Sequence, residues 1–354
     1  TRSAPDHGPS MAIRRLTEFR QRQELVVVGE GLSNRERILT DARGNPVPFV
    51  HVKNTSAAGG DGTFERPYDL LASVNGGGSN PGDTIVVHGG DGTTTGYDQG
   101  VSLKDNQTLI GGQLLGMFTF GGQVVWSKID LGRPTITNVN AGNVVTLANN
   151  NLIQGLDISG STSDGTVVGD QFVNGHGIFG NGVSGVRIVD VNVTGTDANG
   201  LLLDNVTGSV VIDRFACSAA GQIMHAADTV DCADIQSATS GNLSIAIRNS
   251  SFTATDGDGL EVTSRTVDGT TVLSVRDSLF SGNTETGMTL QNDSFANLFD
   301  ITVSNVTAVD NGRNGLAVSG FAGSNRVDIT ITDSTVVGNG FSAGISQQAG
   351  GIFV

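Results

Sequence analysis

The densest group of carboxylates lies in the segment TDGDGLE, which holds Asp256, Asp258 and Glu261. Two such groups facing one another across a groove serve as general acid and base, and several oxygens converging on one point hold Ca²⁺. Asp256 and Asp258 are therefore catalytic candidates, and with Glu261 they are Ca²⁺ candidates; no other cofactor is expected. The same position reads TDANG and GRNG elsewhere, so turn chemistry explains these residues too. His225 and Asp228 form a second group, inside CSAAGQIMHAADTVDC, with His225 a third catalytic candidate. Loops carry function more often than scaffolds do. The bounding residues, Cys217 and Cys232, are the two cysteines of the chain. Two thiols make a poor zinc site, and a disulfide pinning an insertion near 217–240 is the simplest expectation.

These residues must be positioned by a repeat. IRNSSFTATDGDGLEV (247–262) and VRDSLFSGNTETGMTL (275–290) align without a gap at a step of 28, and the beat continues from Val303 and Ile331. Apolar residues alternate within each unit, as in Leu260 and Val262 or Met288 and Leu290, which is the period of half-buried strands. Self-similarity at a fixed period marks a solenoid whose units bury their faces against one another. The expected fold is all-β, a right-handed parallel β-helix of roughly eight to ten coils. Stacking the units gives an Asx column at Asp190, Asn249, Asp277, Asn305 and Asp333, with Asp213 expected to join it. It gives an inward column at Val193, Phe252, Phe280, Ala308 and Val336, and a glycine column at Gly200, Gly259, Gly287, Gly315 and Gly344. The glycines are expected to supply positive φ before a strand. The Asx column reads as structural, through local backbone bonds and stacked amides.

The segment 51–112 contains GDGTFERPYDLLASV and PGDTIVVHGG. Its Pro-led apolar stretch predicts a short N-terminal helix capping the first coil. GDGT, that stretch and PGDTI resemble the opening of right-handed parallel β-helix proteins of the pectate-lyase-like class, which includes lyases, hydrolases, tailspikes and adhesins. Upstream, RRLTEFRQRQELVVV and NPVPFVHVKN resemble the stretch where bacterial inverse autotransporters leave their barrel and enter a β-helical passenger. That resemblance implies a tether over 1–47; the cap with first rungs is then expected over 48–107, and the coils over 108–354. It also implies an extracellular location at the bacterial outer-membrane surface. The last segment, GNGFSAGISQQAGGIFV, stops within a rung, which suggests self-association through an open end.

Elimination from acidic sugars needs an Arg or Lys base beside a Ca²⁺ cluster. The three lysines, Lys53, Lys104 and Lys128, all precede the regular coils. Arg248 and Arg276 stack one repeat apart and read as a solvated pair. Polygalacturonase-like hydrolases resemble one another in an ordered motif set ending in Arg-Ile-Lys; here GHG (175–177) comes before TDGDG and no Arg-Ile-Lys follows, so His176 reads as a turn residue. Trp126, Tyr68 and Tyr97 are the only residues of their types, which leaves the regular coils without broad faces for stacking sugars. The formal net charge is −15, and no basic stripe exists to bind nucleic acid. The leading expectation is a non-catalytic surface passenger, stalk or adhesin, with surface glycans or proteins of host or neighbouring cells as partners. The alternatives are a secreted polysaccharide lyase or glycoside hydrolase, and a self-assembling envelope protein.

Overall fold

The computed structural model describes residues 48–111, 113–120, 123–130, 132–168, 171–221, 230–294, 298–320, 326–340 and 352–353. The tether at 1–47, His225, Asp228 and Gly344 lie outside them. The strands run from two to eighteen residues, and the longer ones alternate inward apolar and outward polar positions, as the period-two pattern requires. They stack in parallel into two ladders. The first runs from Phe49–Val52 through Thr84–Val87, Thr108–Gly111, Leu152–Ser159 and Ser184–Thr194 into Leu201–Ser218, and on to Arg326–Thr332. The second runs from Val101–Ser102 through Val145–Thr146, Ile178–Asn181 and Leu201–Ser218 to Ala233–Ser237, Leu260–Ser264, Met288–Asn292 and Leu316–Gly320. One apolar core fills the space between them, from Val50 to Val318. The chain is a parallel β-helix.

The columns are real contacts. Cys217, Phe252, Phe280, Ala308 and Val336 are successive register partners, and the Phe252 and Phe280 rings stack at 4.9 Å with planes 2° apart. Asp190, Asn249, Asp277, Asn305 and Asp333 all hold φ between 50° and 54°, the left-handed bend that Asn and Asp tolerate. The Asn305 amide donates to Asp277 Oδ1 at 2.7 Å. Asp213 is not the member expected. Register puts Arg214 at the bend with φ 52°, and Asp213 sits one residue earlier. It accepts the Asn249 amide at 2.9 Å and pairs with Arg248 at 3.2 Å and Arg214 at 2.8 Å. A further ladder lies at Asn283, Asn311 and Asn339, each amide reaching the next at 2.8 Å and a backbone carbonyl of the rung before.

The glycine column departs from expectation. Gly200, Gly259 and Gly287 do not have positive φ. Glycine is needed there for space: a Cβ on Gly259 would lie 2.6 Å from Gly287 O, and one on Gly287 would lie 2.6 Å from Gly315 O. The next rung's backbone occupies the place of a side chain.

Two further features differ from the sequence reading. A single 3₁₀ turn, Leu71–Val74, stands where a capping helix was expected, and it buries Leu71 and Val74. After Gly111 an antiparallel hairpin, Gln113–Phe120 with Gln123–Asp130, interrupts the coils. At the N-terminal rungs His51 Nδ1 and His88 Nε2 lie 3.0 Å apart, buried beneath the edge of Phe64.

Candidate active site

The outward face of the second ladder carries the chemistry. Register places Leu202, Asp234, Glu261 and Thr289 side by side on successive rungs, because each lies between two inward residues of its strand. Asp234 is flanked by the buried Ala233 and Ile235, and Glu261 by Leu260 and Val262. Asp204, two residues beyond Leu202, lies diagonally from Asp234 and pairs with Arg265 at 3.4 Å. Arg313, further along, holds Glu285 through both carboxylate oxygens at 2.8 and 2.9 Å.

Asp234 is 3 % exposed. Its Oδ2 accepts two amide hydrogen bonds of 2.7 Å, one from Gln236 on its own strand and one from Gln171. Gln171 lies in the short strand Gln171–Phe172, paired antiparallel with Val167–Val168, and its side chain meets this face at Asp234. Asp234 Oδ1 has no partner among the described residues. Burial, then the charge of Glu261, pushes the Asp234 carboxyl well above the usual range, against the pull of the Gln236 bond and Arg265. Its neutral form carries one proton. With Oδ2 taken up as a double acceptor, that proton belongs on Oδ1.

The turn entering this ladder adds Asp231 and Asp258. Asp231 Oδ1 accepts the backbone N–H of Asp258 at 2.6 Å, and Asp258 Oδ1 accepts that of Thr286 at 2.7 Å, so each carboxylate supports the next coil. Burial raises both; nearby Asp258, Glu261 and Asp234 raise Asp231 further, while hydrogen bonds from Thr289 and Thr286 restrain Asp258. The Cys217–Cys232 disulfide, with Cα atoms 5.7 Å apart, closes the insertion next to Asp231.

Of the residues singled out in the sequence, Glu261 lies on this face and Asp258 at its edge. Asp256 sits in the preceding turn, its N–H bonded to Ala220 O at 3.3 Å. Among the described residues no three His, Cys, Asp or Glu side chains form a group able to hold a metal ion, the Asp256, Asp258 and Glu261 set included. His176 is buried and stacks on Phe179, with Nε2 3.0 Å from Phe172 O; burial lowers it to about 4. Lys104 Nζ is engaged by the Gly76 carbonyl at 2.7 Å and by that of Ser79, away from this face. Across the coils, a shallow groove of about 720 Å³ follows the Asx column past Asp190, Asn249 and Asp277. It lacks buried acids.

Sequence reasoning missed Asp234 and Asp204. Both lie in rungs that break the 28-residue step: Asp231 to Asp258 spans 27 residues, whereas Asp258 to Thr286 spans 28. The available signal was alternation, since ADI and LLLD put a carboxylate at an outward position of an otherwise apolar strand.

The ladders and the buried carboxyl face define a parallel β-helix protein with a candidate acid–base site on one sheet. No protein-family model matches the chain, and no curated protein does. Among solved structures it is similar to the GH136 lacto-N-biosidase from Eubacterium ramulus, at 12 % identity and TM-score 0.29 over 86 % of this chain and 68 % of that one. It is similar to the catalytic domain of a GH87 α-1,3-glucanase in complex with nigerose, at 12 % and 0.29 over 90 % and 68 %. A mannuronan C-5 epimerase A-module from Azotobacter vinelandii gives 12 % and 0.25 over 77 % and 89 %. Likeness at this level carries no argument about the chemistry of this chain.

Proposed function

We propose that the outward face of the second ladder is the active site of a glycoside hydrolase, with Asp234 as general acid and Glu261 as nucleophile. The observation that carries this reading is the hydrogen bonding of Asp234: its Oδ2 accepts from Gln236 and Gln171, and its buried Oδ1 has no partner among the described residues. Adjacent strands lie about 4.8 Å apart, so carboxyls one strand apart match the about 5–5.5 Å of retaining glycosidases rather than the wider inverting gap. Asp234 Oδ1–H protonates the glycosidic oxygen as Glu261 attacks the anomeric carbon. The alcohol leaves, and a glycosyl ester forms on Glu261. Water, deprotonated by Asp234, then cleaves that ester, returning the proton to Asp234 and the free carboxylate to Glu261. Hydrolysis is favoured over elimination because Arg265 and Arg313 are already paired with Asp204 and Glu285.

The test is reducing-end release from a panel of neutral, amino and acidic polysaccharides, with and without Ca²⁺, followed by NMR of the first-formed anomer. Release with retention, lost in Asp234→Asn, is the expected result. No release from any substrate would sink the assignment.

A second reading is a cell-surface passenger or stalk with glycan or protein partners. The unbroken Asn283–Asn311–Asn339 ladder favours it, since it builds a regular rod free of buried acids. Under either reading the disulfide supports an extracellular location, where thiols are oxidised.

A further inference from the structure

Resting on the hydrolase reading, we infer that His176 is a positioning residue for Asp234, acting through the strand Gln171–Phe172. That strand belongs to neither ladder, and its strand partner is Val167–Val168. Its place against the coils is therefore set by side chains. Phe172 packs into the core, the Gln171 amide donates to Asp234 Oδ2 at 2.7 Å, and His176 Nε2 lies 3.0 Å from Phe172 O. The last two contacts fall on consecutive residues of a two-residue strand. Whatever fixes Phe172 O therefore fixes the reach of Gln171.

His176 is itself held by the coil. Its N–H donates to Asn143 Oδ1 at 3.1 Å, and its carbonyl accepts the N–H of Val144 at 3.0 Å. Its ring stacks on Phe179 at 5.6 Å with planes 15° apart. Phe179 is the register neighbour of Leu202, and Leu202 is that of Asp234. His176 thus ties the strand to the ladder that carries Asp234. A carbonyl only accepts, so Nε2 carries the hydrogen and Nδ1 the lone pair. Nδ1 is buried and has no partner among the described residues, and burial keeps the ring neutral, titrating at about 4. The donor stays in place through the neutral range and adds no charge beside Asp234. What it supplies is the Gln171 bond, and a hydrogen bond donated to a carboxyl oxygen favours the ionised form. Releasing Gln171 raises the pH at which Asp234 gives up its proton. Glu261, Asp204, Asp231 and Arg265 also act on this carboxyl, and all four are unchanged in the variants below.

The experiment follows the Asp234 carboxyl by ¹³C NMR in full-length protein labelled at aspartate, with Asp234→Asn assigning the signal. His176→Leu keeps bulk in the core and removes the donor; Gln171→Leu removes the next link. Each is expected to raise the Asp234 titration by about half to one pH unit, and the double variant to go no further than either alone. His176→Gln restores a donor and is expected to titrate as wild type. A merely structural role would lower stability and leave the titration where it was. An unmoved titration in His176→Leu, additive shifts in the double variant, or no rescue by glutamine would overturn the inference. Should His176→Leu not fold, ¹⁵N NMR of wild-type His176 decides: hydrogen on Nε2 is expected, and hydrogen on Nδ1 overturns it. Turnover separates the two claims. With active protein, the alkaline limb of kcat/KM is expected to move up in the same variants by the same amount. Carboxyl shifts as expected, without turnover of any polysaccharide, sink the hydrolase assignment and leave the role of His176 standing.

Discussion

Replacing Asp234 by asparagine separates its proton chemistry from its place in the fold. The amide has the shape of the neutral acid, and its carbonyl still accepts from Gln171 and Gln236. In the wild type the folded carboxyl titrates well above its unfolded value. Above about pH 4 the unfolded carboxyl has ionised while the folded one keeps its proton, so the native state binds one proton more. Stability therefore falls as pH rises through this window, by about 1.4 kcal/mol per pH unit for one proton. Asparagine removes that slope. Relative to wild type, Asp234→Asn should be level near pH 4 and gain about 1.4 kcal/mol per unit above it, until the folded wild-type carboxyl itself ionises. With an m-value of about 3 kcal/mol/M, the urea midpoint of the variant should gain about 0.5 M per pH unit on that of wild type. Urea titrations of both proteins at half-unit steps from pH 4 to 8 measure it. Parallel profiles would mean that Asp234 ionises normally in the fold, and the proton assigned to Oδ1 would not exist. Activity gives an independent reading, with kcat falling by about 10²–10⁴ if the residue is the general acid.

Acid should destabilise the protein through its histidines. Burial, first of all, holds His51 near 3 and His88 and His176 near 4, so below about pH 6.5 the unfolded chain takes up protons that the fold refuses. Each should cost about 1.4 kcal/mol per pH unit between 6.5 and its folded value, and His176→Gln should remove one such contribution; an unchanged acid limb in that variant would refute the account. Gly259→Ala should lose about 1–3 kcal/mol in urea unfolding, because its Cβ would press on Gly287 O at 2.6 Å, while Gly77→Ala, with open space around it, should stay near wild type. Equal stability of the two would show that the rungs separate freely.

The repeat was legible because it is local and periodic. Alternation in 243–340 and the constant step of 28 determined parallel stacking, the Phe252–Phe280 stack and the left-handed Asx bend. Each follows from a backbone preference or from like meeting like one strand away. The glycine column was visible, but its reason was not: whether Gly259 relieves φ or space depends on where the next coil's carbonyl lies. Arg214 took the bend in place of Asp213 because a strand longer by one residue shifts register, and strand length is set by packing. The candidate site lay furthest from the sequence. Glu261 and Asp258 could be named from it, but Asp234 gains its meaning only from contacts with Gln171, Gln236 and Glu261, the first lying 63 residues away. A carboxyl's proton depends on desolvation and on neighbours brought from other coils, and both are properties of the assembled helix.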